Sequence, residues 1–160
     1  MNEELRADGG SHSPARIYER LFVYPRPDAR RVLAVIWATV DRDRVVADLR
    51  LPVEFLADDR LLGASVALVR PEDGDPIAIL EPLTEGRLAA TLSRHGEGLA
   101  GEYVEAPVGP DSVTAAAATA GLDIGRSADG PFGRSVIVLG GPVDGPHLVL
   151  VERPAGTIGR

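Results

Sequence analysis

The stretch from Ser65 to Pro82, SVALVRPEDGDPIAILEP, returns further along the chain, from Ser135 to Pro154, as SVIVLGGPVDGPHLVLVERP. Each copy consists of an apolar run, a turn cluster of proline, glycine and aspartate, and a second apolar run that ends with an acidic residue and a proline. A repeat of this kind predicts a fold in which one unit is used twice, with a groove between the two units. We expect the functional site in that groove.

Length and composition limit the class of protein. The chain has 160 residues, which is enough for one compact core. No run approaches the roughly 20 apolar residues that a membrane span needs, and the N-terminus lacks the basic-then-apolar order of a signal peptide. We therefore expect a soluble, cytoplasmic protein. Because the chain contains no cysteine, disulfides, thiolate nucleophiles and cysteine-based metal sites are excluded.

The charge of the chain excludes further partners and reactions. A net charge of −7 disfavours nucleic acids, because binding them requires clustered basic groups that neutralise phosphates. All 17 basic residues are arginine, so Schiff-base chemistry on a lysine is excluded. The absence of lysine, together with many alanines, glycines and valines, suggests a bacterial genome rich in G and C.

The hydrophobic pattern predicts the order βαβββ twice. The predicted elements of the first unit are strand Val32–Val40, helix Arg42–Leu51 and strands Val53–Ala57, Ala64–Val69 and Ile77–Leu80. Those of the second unit are strand Leu99–Glu105, helix Pro110–Ala120 and strands Leu122–Gly125, Ser135–Leu139 and Leu148–Val151. A helix over Thr84–His95 connects the units, and Asp58-Asp59 and the GPFG segment, Gly130–Gly133, are interpreted as turns.

These elements predict how the chain is divided. The predicted segments are a disordered tail at 1–16, an extra strand or arm at 17–31, a first module at 32–83, a connector helix at 84–97, a second module at 98–153 and a C-terminal tail at 154–160. Residues 32–153 would together form one domain.

With this order of elements the chain resembles the vicinal oxygen chelate superfamily, which includes glyoxalases, bleomycin-resistance proteins and methylmalonyl-CoA epimerases. The segments that carry the resemblance are TVDRDRVV (Thr39–Val46), LLGA (Leu61–Ala64), IAILEPLTEGRLAATLSRHGEG (Ile77–Gly98) and HLVLVE (His147–Glu152). The third is the most specific, because LEP, a short helix and GEG join the two modules of epimerase-like members.

The resemblance implies a fold and an assembly. The implied fold is α+β, with two tandem βαβββ modules whose curved mixed sheets enclose a cavity, known as the glyoxalase/bleomycin-resistance fold. The resemblance also implies a homodimer, and the aromatic segment Ile17–Tyr24 is a candidate for the dimer contact.

Enzymes of this superfamily typically hold one divalent metal with four His, Glu or Gln side chains from four strands. The matching positions in this chain are Ala34, Ala78, the run Leu99–Gly101 and Val149. Methyl and isopropyl groups offer nothing that would offset the dehydration of a cation. A shift of one residue in the register of each strand would bring in a single potential ligand, Glu102. We therefore expect no metal ion and no cofactor.

Alternation along the strands indicates which residues face the cavity. If Ala34 faces it, the predicted ligand-binding residues are Ala34, Ile36, Ala38, Ala78, Gly101, Tyr103, His147 and Val149. Tyr103, Glu105 and His147 are the polar candidates for catalysis, with Glu105 or His147 as a metal-free base and Tyr103 as a hydrogen-bond donor. The structural alternative places Glu105 in solvent at a strand end, His147 in a turn and Tyr103 in ordinary packing.

Three functions are consistent with these features. The first is metal-independent binding of a small apolar or aromatic metabolite or drug, as in the antibiotic-resistance branch of the superfamily. The second is a cofactor-free isomerase, lyase or cyclase of a secondary-metabolite pathway. The third is a non-catalytic member that acts through dimer or partner assembly. A small molecule is the expected partner in the first two, and neither nucleic acid nor membrane is expected in any of them.

Overall fold

The computed structural model describes residues 31–105, 123–139 and 146–152. Its strands are β1 Arg31–Ala38, β2 Val53–Asp59, β3 Ala64–Val69, β4 Ile77–Pro82, β5 Gly98–Glu105, β6 Ala128–Gly130, β7 Gly133–Ile137 and β8 His147–Val151. Its helices are α1 Arg42–Leu49 and α2 Arg87–His95. Among these residues no helix has the length and apolar character needed to cross a membrane. The predicted arm at Ile17–Tyr24 and the predicted helix Pro110–Ala120 lie outside the described residues.

The strands form one mixed sheet of eight, in the order β2-β3-β4-β1-β5-β8-β7-β6. The two halves of this order are equivalent, because β4 is parallel to β1 and β8 is parallel to β5, while β3 and β7 are antiparallel to their neighbours. The antiparallel pair of β1 and β5 joins the halves. The edge strands β2 and β6 contact each other, so the sheet is curved until it nearly closes. The α+β fold that the resemblance implies is confirmed.

The two copies of the repeat form the hairpins β3–β4 and β7–β8, but their first strands are offset by one residue. In the first hairpin Ser65 is paired with Glu81. In the second the carbonyl of Arg134 accepts a hydrogen bond from the backbone N–H of Glu152, at 2.8 Å. The structural equivalent of Ser65 is therefore Arg134 and not Ser135. Such an offset exchanges the two faces of a strand, so the sequence repeat alone does not give the inward residues of β7.

One predicted strand is wrong, and one predicted turn is shifted by a residue along the chain. In the described part of Leu122–Gly125, Ile124 forms an isolated bridge to Val138, and the strand at that edge is β6, paired with β7. The short β6, Ala-Asp-Gly, has no apolar run to indicate it, and it forms because the turn between Gly130 and Gly133 returns the chain as a hairpin, which confirms that turn. Asp59 is the buried last residue of β2, and it begins the turn to β3, because its carbonyl accepts the backbone N–H of Gly63 at 2.9 Å.

Glu97, in the GEG segment after α2, fastens the start of α1 to the sheet. Its carboxylate accepts hydrogen bonds from the hydroxyl of Thr39 at 2.6 Å, from the backbone N–H of Val40 at 3.2 Å and from the guanidinium of Arg44, 2.7 Å from each oxygen. The hydrogen bond from Thr39, followed by that from Arg44, lowers the pKa of Glu97 from 4.5 to about 2. The GEG segment therefore has a structural role at the outside of the sheet.

Candidate functional site

The concave face of the sheet is covered by one cluster of buried side chains. Its members are Ala34, Ile36, Ala38, Leu62, Ala64, Val66, Leu68, Ala78, Leu80, Leu88, Ala100, Tyr103, Ile137, Val149 and Val151. Side chains of β3 and β7, from opposite halves of the sheet, belong to the same cluster, and only the concave side of a curved sheet brings them together. Helix α2 contributes Leu88 to this cluster and buries Thr91. This cluster lies between the two modules, where the groove is expected.

The predicted ligand-binding residues lie on the strands that form this face. Six of them are members of the cluster: Ala34, Ile36, Ala38, Ala78, Tyr103 and Val149. His147 and Gly101 are paired with each other on β8 and β5, and both are buried. On β5 the cluster contains Ala100 and Tyr103, which are three residues apart, because the pairing of β5 with β1 has irregularities that interrupt simple alternation.

Position 101 requires glycine because two strands pack closely against each other there. Its φ is +153°, and an added Cβ would lie 2.0 Å from the carbonyl oxygen of His147. The backbones of β5 and β8 therefore approach each other too closely at this point for any side chain. Where the resemblance places a metal ligand after GEG, the structure has room for none at Gly101.

Asp59 and Tyr103 form a buried polar pair on the concave side. The Tyr103 hydroxyl donates to Oδ2 of Asp59 at 2.5 Å, and Oδ1 accepts the backbone N–H groups of Leu61 and Leu62, each at 2.8 Å. Burial, and then the nearby negative charge of Asp59, raises the pKa of Tyr103 well above 10. The phenol therefore stays protonated and donates to the carboxylate, which links β5 of one module to the β2–β3 connection of the other.

The ring of Phe132 covers the ring of Tyr103. The two centroids are 4.9 Å apart and the ring planes are tilted by 59°, an arrangement that aromatic pairs favour. Phe132 lies in the turn between β6 and β7 and is half-buried against the core cluster. It therefore stands between Tyr103 and the solvent at the edge of the sheet.

His147 is buried and bonded to helix α2. Its Nε2 lies 2.8 Å from the hydroxyl oxygen of Thr91, and that hydroxyl donates its hydrogen to the carbonyl of Arg87 at 2.9 Å. Because the hydroxyl has a single hydrogen, the imidazole is the donor in its bond with Thr91, through Nε2–H. This contact holds α2 against β8.

Two of the three candidate catalytic residues are brought near each other. Tyr103 is paired with Val149, two residues along β8 from His147, so the two side chains are about 7 Å apart along the strand direction. Glu105 is the last residue of β5, where it is half-buried and paired with Val151. The structure therefore places Tyr103 and His147 on the concave side and Glu105 at the end of the strand.

The residues present do not fit the metal that the fold family typically holds. Ala34, Ala78, Ala100 and Val149 occupy the matching positions and are packed in the core cluster. Across residues 31–105, 123–139 and 146–152, no group of three or more His, Asp or Glu side chains is placed to hold a metal ion. Glu102 is paired with Leu148, and Leu148 points to the face of β8 opposite to that of Val149. The side chain of Glu102 is therefore not directed at the matching positions.

Sequence reasoning missed three residues of the site: Asp59, Thr91 and Phe132. Asp59 was hidden in a pair of aspartates typical of a turn, and alternation along β2 would not have found it, because Phe55 and Ala57 are exposed and the register shifts between Leu56 and Asp59. Thr91 lies three residues after Leu88, so helical spacing already placed both on one face of α2. Phe132 is the aromatic residue in the turn GPFG, and no local pattern indicates which ring such a residue contacts.

Comparisons with known proteins agree on the fold. No protein-family model matches the sequence, and neither does any curated protein. The structure is similar to that of methylmalonyl-CoA epimerase from Streptomyces coelicolor in complex with 2-nitronate-propionyl-CoA, with a TM-score of 0.64, 21% identity, and coverage of 78% of this chain and 98% of that one. For methylmalonyl-CoA epimerase from Mycobacterium tuberculosis the TM-score is 0.60, with 20% identity and coverage of 76% and 86%. A hypothetical protein from Bacillus halodurans matches with a TM-score of 0.63, 17% identity and coverage of 81% and 99%.

Proposed function

Since the chain has the fold of the vicinal oxygen chelate superfamily, as the resemblance in its sequence implies, we propose that it binds a small, planar, apolar or aromatic molecule on the concave face without a metal ion. The observation that carries this proposal is the chemistry of that face. Ala34, Ala78, Ala100 and Val149 stand where a metal would be coordinated, and they belong to one cluster of buried side chains that offers an apolar surface to a molecule that enters it. Such a surface stabilises an apolar ligand through burial of its area.

The shape of the concave face supports a flat ligand. The two central parallel strands, β1 and β4, place three alanines on this face, Ala34, Ala38 and Ala78. These small side chains lie between Ile36 and Leu80 of the same two strands, and Tyr103 and Phe132 supply rings beside them. Aromatic side chains favour offset or tilted contacts with another ring, so a fused ring system suits this arrangement. A ring-containing drug or secondary metabolite is therefore the ligand class that we propose.

Binding is favoured over catalysis through Nε2 of His147 or the hydroxyl of Tyr103, because both groups are engaged in hydrogen bonds within the fold. A general base must have the atom that takes the proton directed at the substrate. The Nε2 of His147 is engaged with Thr91, and the hydroxyl hydrogen of Tyr103 is donated to Asp59. These two atoms hold the elements of the fold together, and recruiting either for proton transfer would first break a buried hydrogen bond.

Entry of a ligand requires Phe132 to move. The residues around Tyr103 are buried, and Phe132, half-buried in the turn after β6, is the side chain that covers the ring of Tyr103. The turn holding Phe132 is flanked by Gly130 and Gly133, and Gly133 has a positive φ of +116°. Truncation to alanine in Phe132→Ala should therefore strengthen the binding of a ring compound.

Calorimetric titration with naphthol, a neutral fused-ring probe, tests the proposal. The protein is first treated with EDTA, and saturable binding with one site per chain is expected, unchanged by added zinc. Ala78→Leu should abolish binding because it fills the floor of the face, where Ala78 is fully buried. Ala47→Leu adds the same volume at an exposed position of α1 and should bind as the original chain does.

Two results would contradict the proposal. One is binding that requires zinc or another divalent metal. The other is equal affinity in Ala78→Leu and Ala47→Leu, which would locate the probe elsewhere. A thermal melt of each variant shows whether it is folded. If Ala78→Leu does not fold, the affinity of Phe132→Ala is compared with that of the original chain. Weaker or equal binding in Phe132→Ala rejects ligand entry past Phe132.

A further inference from the structure

The Asp59 carboxylate accepts three hydrogen bonds and has the lone pairs to accept a fourth. A carboxylate offers about four lone-pair positions, two on each oxygen. Oδ1 accepts two backbone N–H groups, from Leu61 and Leu62, and Oδ2 accepts the hydroxyl of Tyr103. Among the described residues these are the hydrogen bonds to its side chain, so one position remains on Oδ2. Asp59 is only 2% exposed, so water has little access to that position.

The charge of Asp59 has no counter-charge in the described part of the chain. The ion pairs formed there by arginines involve other acids, Asp43, Asp48, Glu54, Glu97 and Glu152. A buried carboxylate without a cation is held by its hydrogen bonds, and each further donor stabilises it. A ligand that brings a donor to Oδ2 supplies such an interaction.

Tyr103 connects this carboxylate to the place where a ring would bind. Its hydroxyl contacts Asp59, and its ring contacts Phe132. A ligand ring that replaces Phe132 against the ring of Tyr103 is therefore separated from the Asp59 carboxylate by the Tyr103 side chain alone. Burial raises the pKa of Tyr103, so its hydroxyl keeps the hydrogen that it donates to Asp59.

We propose that Asp59 is the specificity-determining residue of this site, and that it selects planar ligands whose ring bears a hydrogen-bond donor, such as a phenol or an aromatic amine. This inference rests on the proposed binding function and deepens it. The apolar face gives affinity for any flat ring, and Oδ2 of Asp59 distinguishes rings with a donor from rings without one.

The test compares three probes that share one ring system. Naphthol carries a donor, methoxynaphthalene carries the same oxygen without a donor, and naphthalene has neither. A hydrogen bond to a charged acceptor corresponds to a preference of roughly 10- to 100-fold. The original chain should bind naphthol more tightly than methoxynaphthalene by about this factor, and methoxynaphthalene and naphthalene should bind alike.

Two variants attribute the preference to Asp59. In Asp59→Asn the acceptor loses its charge, so the preference for naphthol should fall to about three-fold or less. In Tyr103→Phe, Oδ2 loses its protein donor while the ring and its volume remain. The preference for naphthol should then rise, and naphthol should raise the melting temperature of Tyr103→Phe by more than it raises that of the original chain, because the ligand hydroxyl replaces the missing one.

The outcomes separate this inference from the proposed function. If none of the probes binds, the binding function is rejected and the inference with it. If all three bind the original chain with equal affinity, the binding function stands and the inference is overturned. A naphthol preference that persists unchanged in Asp59→Asn and Tyr103→Phe overturns it as well, since the donor would then be recognised elsewhere. If Asp59→Asn does not fold, the rise or lack of rise in Tyr103→Phe decides the question.

Discussion

Replacing Gly101 by alanine should unfold the protein far more readily than the same change at Gly98. Both glycines lie on β5 with nearly equal φ, +153° and +152°, so both substitutions carry the same backbone strain, roughly 1–3 kcal/mol. They differ in their surroundings. A Cβ at Gly98 meets nothing within 4 Å, whereas a Cβ at Gly101 would lie 2.0 Å from the carbonyl oxygen of His147 and 2.8 Å from its carbonyl carbon.

The contact at Gly101 can be relieved only by separating two strands. Ordinary van der Waals contact begins at about 3.4 Å, so β8 must retreat by more than an ångström from β5, which lengthens the hydrogen bonds that pair them around Gly101 and His147. Overpacking costs about 1–3 kcal/mol, and two weakened backbone hydrogen bonds add about 1 kcal/mol each. Gly101→Ala should therefore be about 3–5 kcal/mol less stable than Gly98→Ala, a large part of the about 5–15 kcal/mol available to a domain.

Urea denaturation followed by circular dichroism measures this difference. With a slope of about 1–3 kcal/mol per molar urea, the midpoint of Gly101→Ala should lie at least about 1 M below that of Gly98→Ala. Equal midpoints for the two variants would refute the reasoning. They would show that the strands are not held in contact at Gly101 and His147, and that Gly101 is free to face a ligand.

Three further predictions concern the polar contacts. Tyr103→Phe should lower the free energy of unfolding by about 1.5–3 kcal/mol in the same urea assay, because the buried carboxylate of Asp59 loses one of its donors; an unchanged midpoint would mean that this hydrogen bond is not formed. The pKa of Glu97 is lowered from 4.5 to about 2 in the folded protein, so its stabilising effect is present above about pH 4.5 and is lost as the pH falls toward 2. Glu97→Gln should therefore flatten the acid-unfolding curve in that range. As a control, Glu85→Gln changes an exposed carboxylate and should leave the curve unchanged. Thr91→Val should lower the thermal midpoint and Thr91→Ser should retain it, since only the hydroxyl binds His147; a loss in Thr91→Ser without one in Thr91→Val would assign the effect to the methyl group.

The repeat and the apolar runs predicted most of the strands because burial in a sheet has a local signature. Ala64–Val69 is predicted and observed with identical bounds, and the helix over Thr84–His95 is observed from Arg87. The prediction failed where pairing comes from neighbours. The strand β6 has no apolar alternation of its own, and it exists because the turn at Gly130–Gly133 brings it beside β7.

The composition of the site was partly visible in the sequence and its polar contacts were not. The resemblance placed Ala34, Ala78 and Val149 at one site, and the structure has all three in the core cluster. It could not show that Tyr103 donates to Asp59, because these residues are separated by 44 positions and meet only when the two modules pack. For the same reason the partner of His147 on α2 was not predicted.

By itself the sequence determined that one βαβββ unit is used twice and that apolar residues stand at the positions where relatives hold a metal, because periodicity and residue type are local properties of the chain. Only the tertiary structure decided which side chains meet across the concave face: Asp59 with Tyr103, Phe132 over that ring, and Gly101 against the backbone of His147. These contacts depend on the curvature of the sheet and on irregularities in strand pairing, and such geometry is set by the packing of distant segments rather than by any one of them.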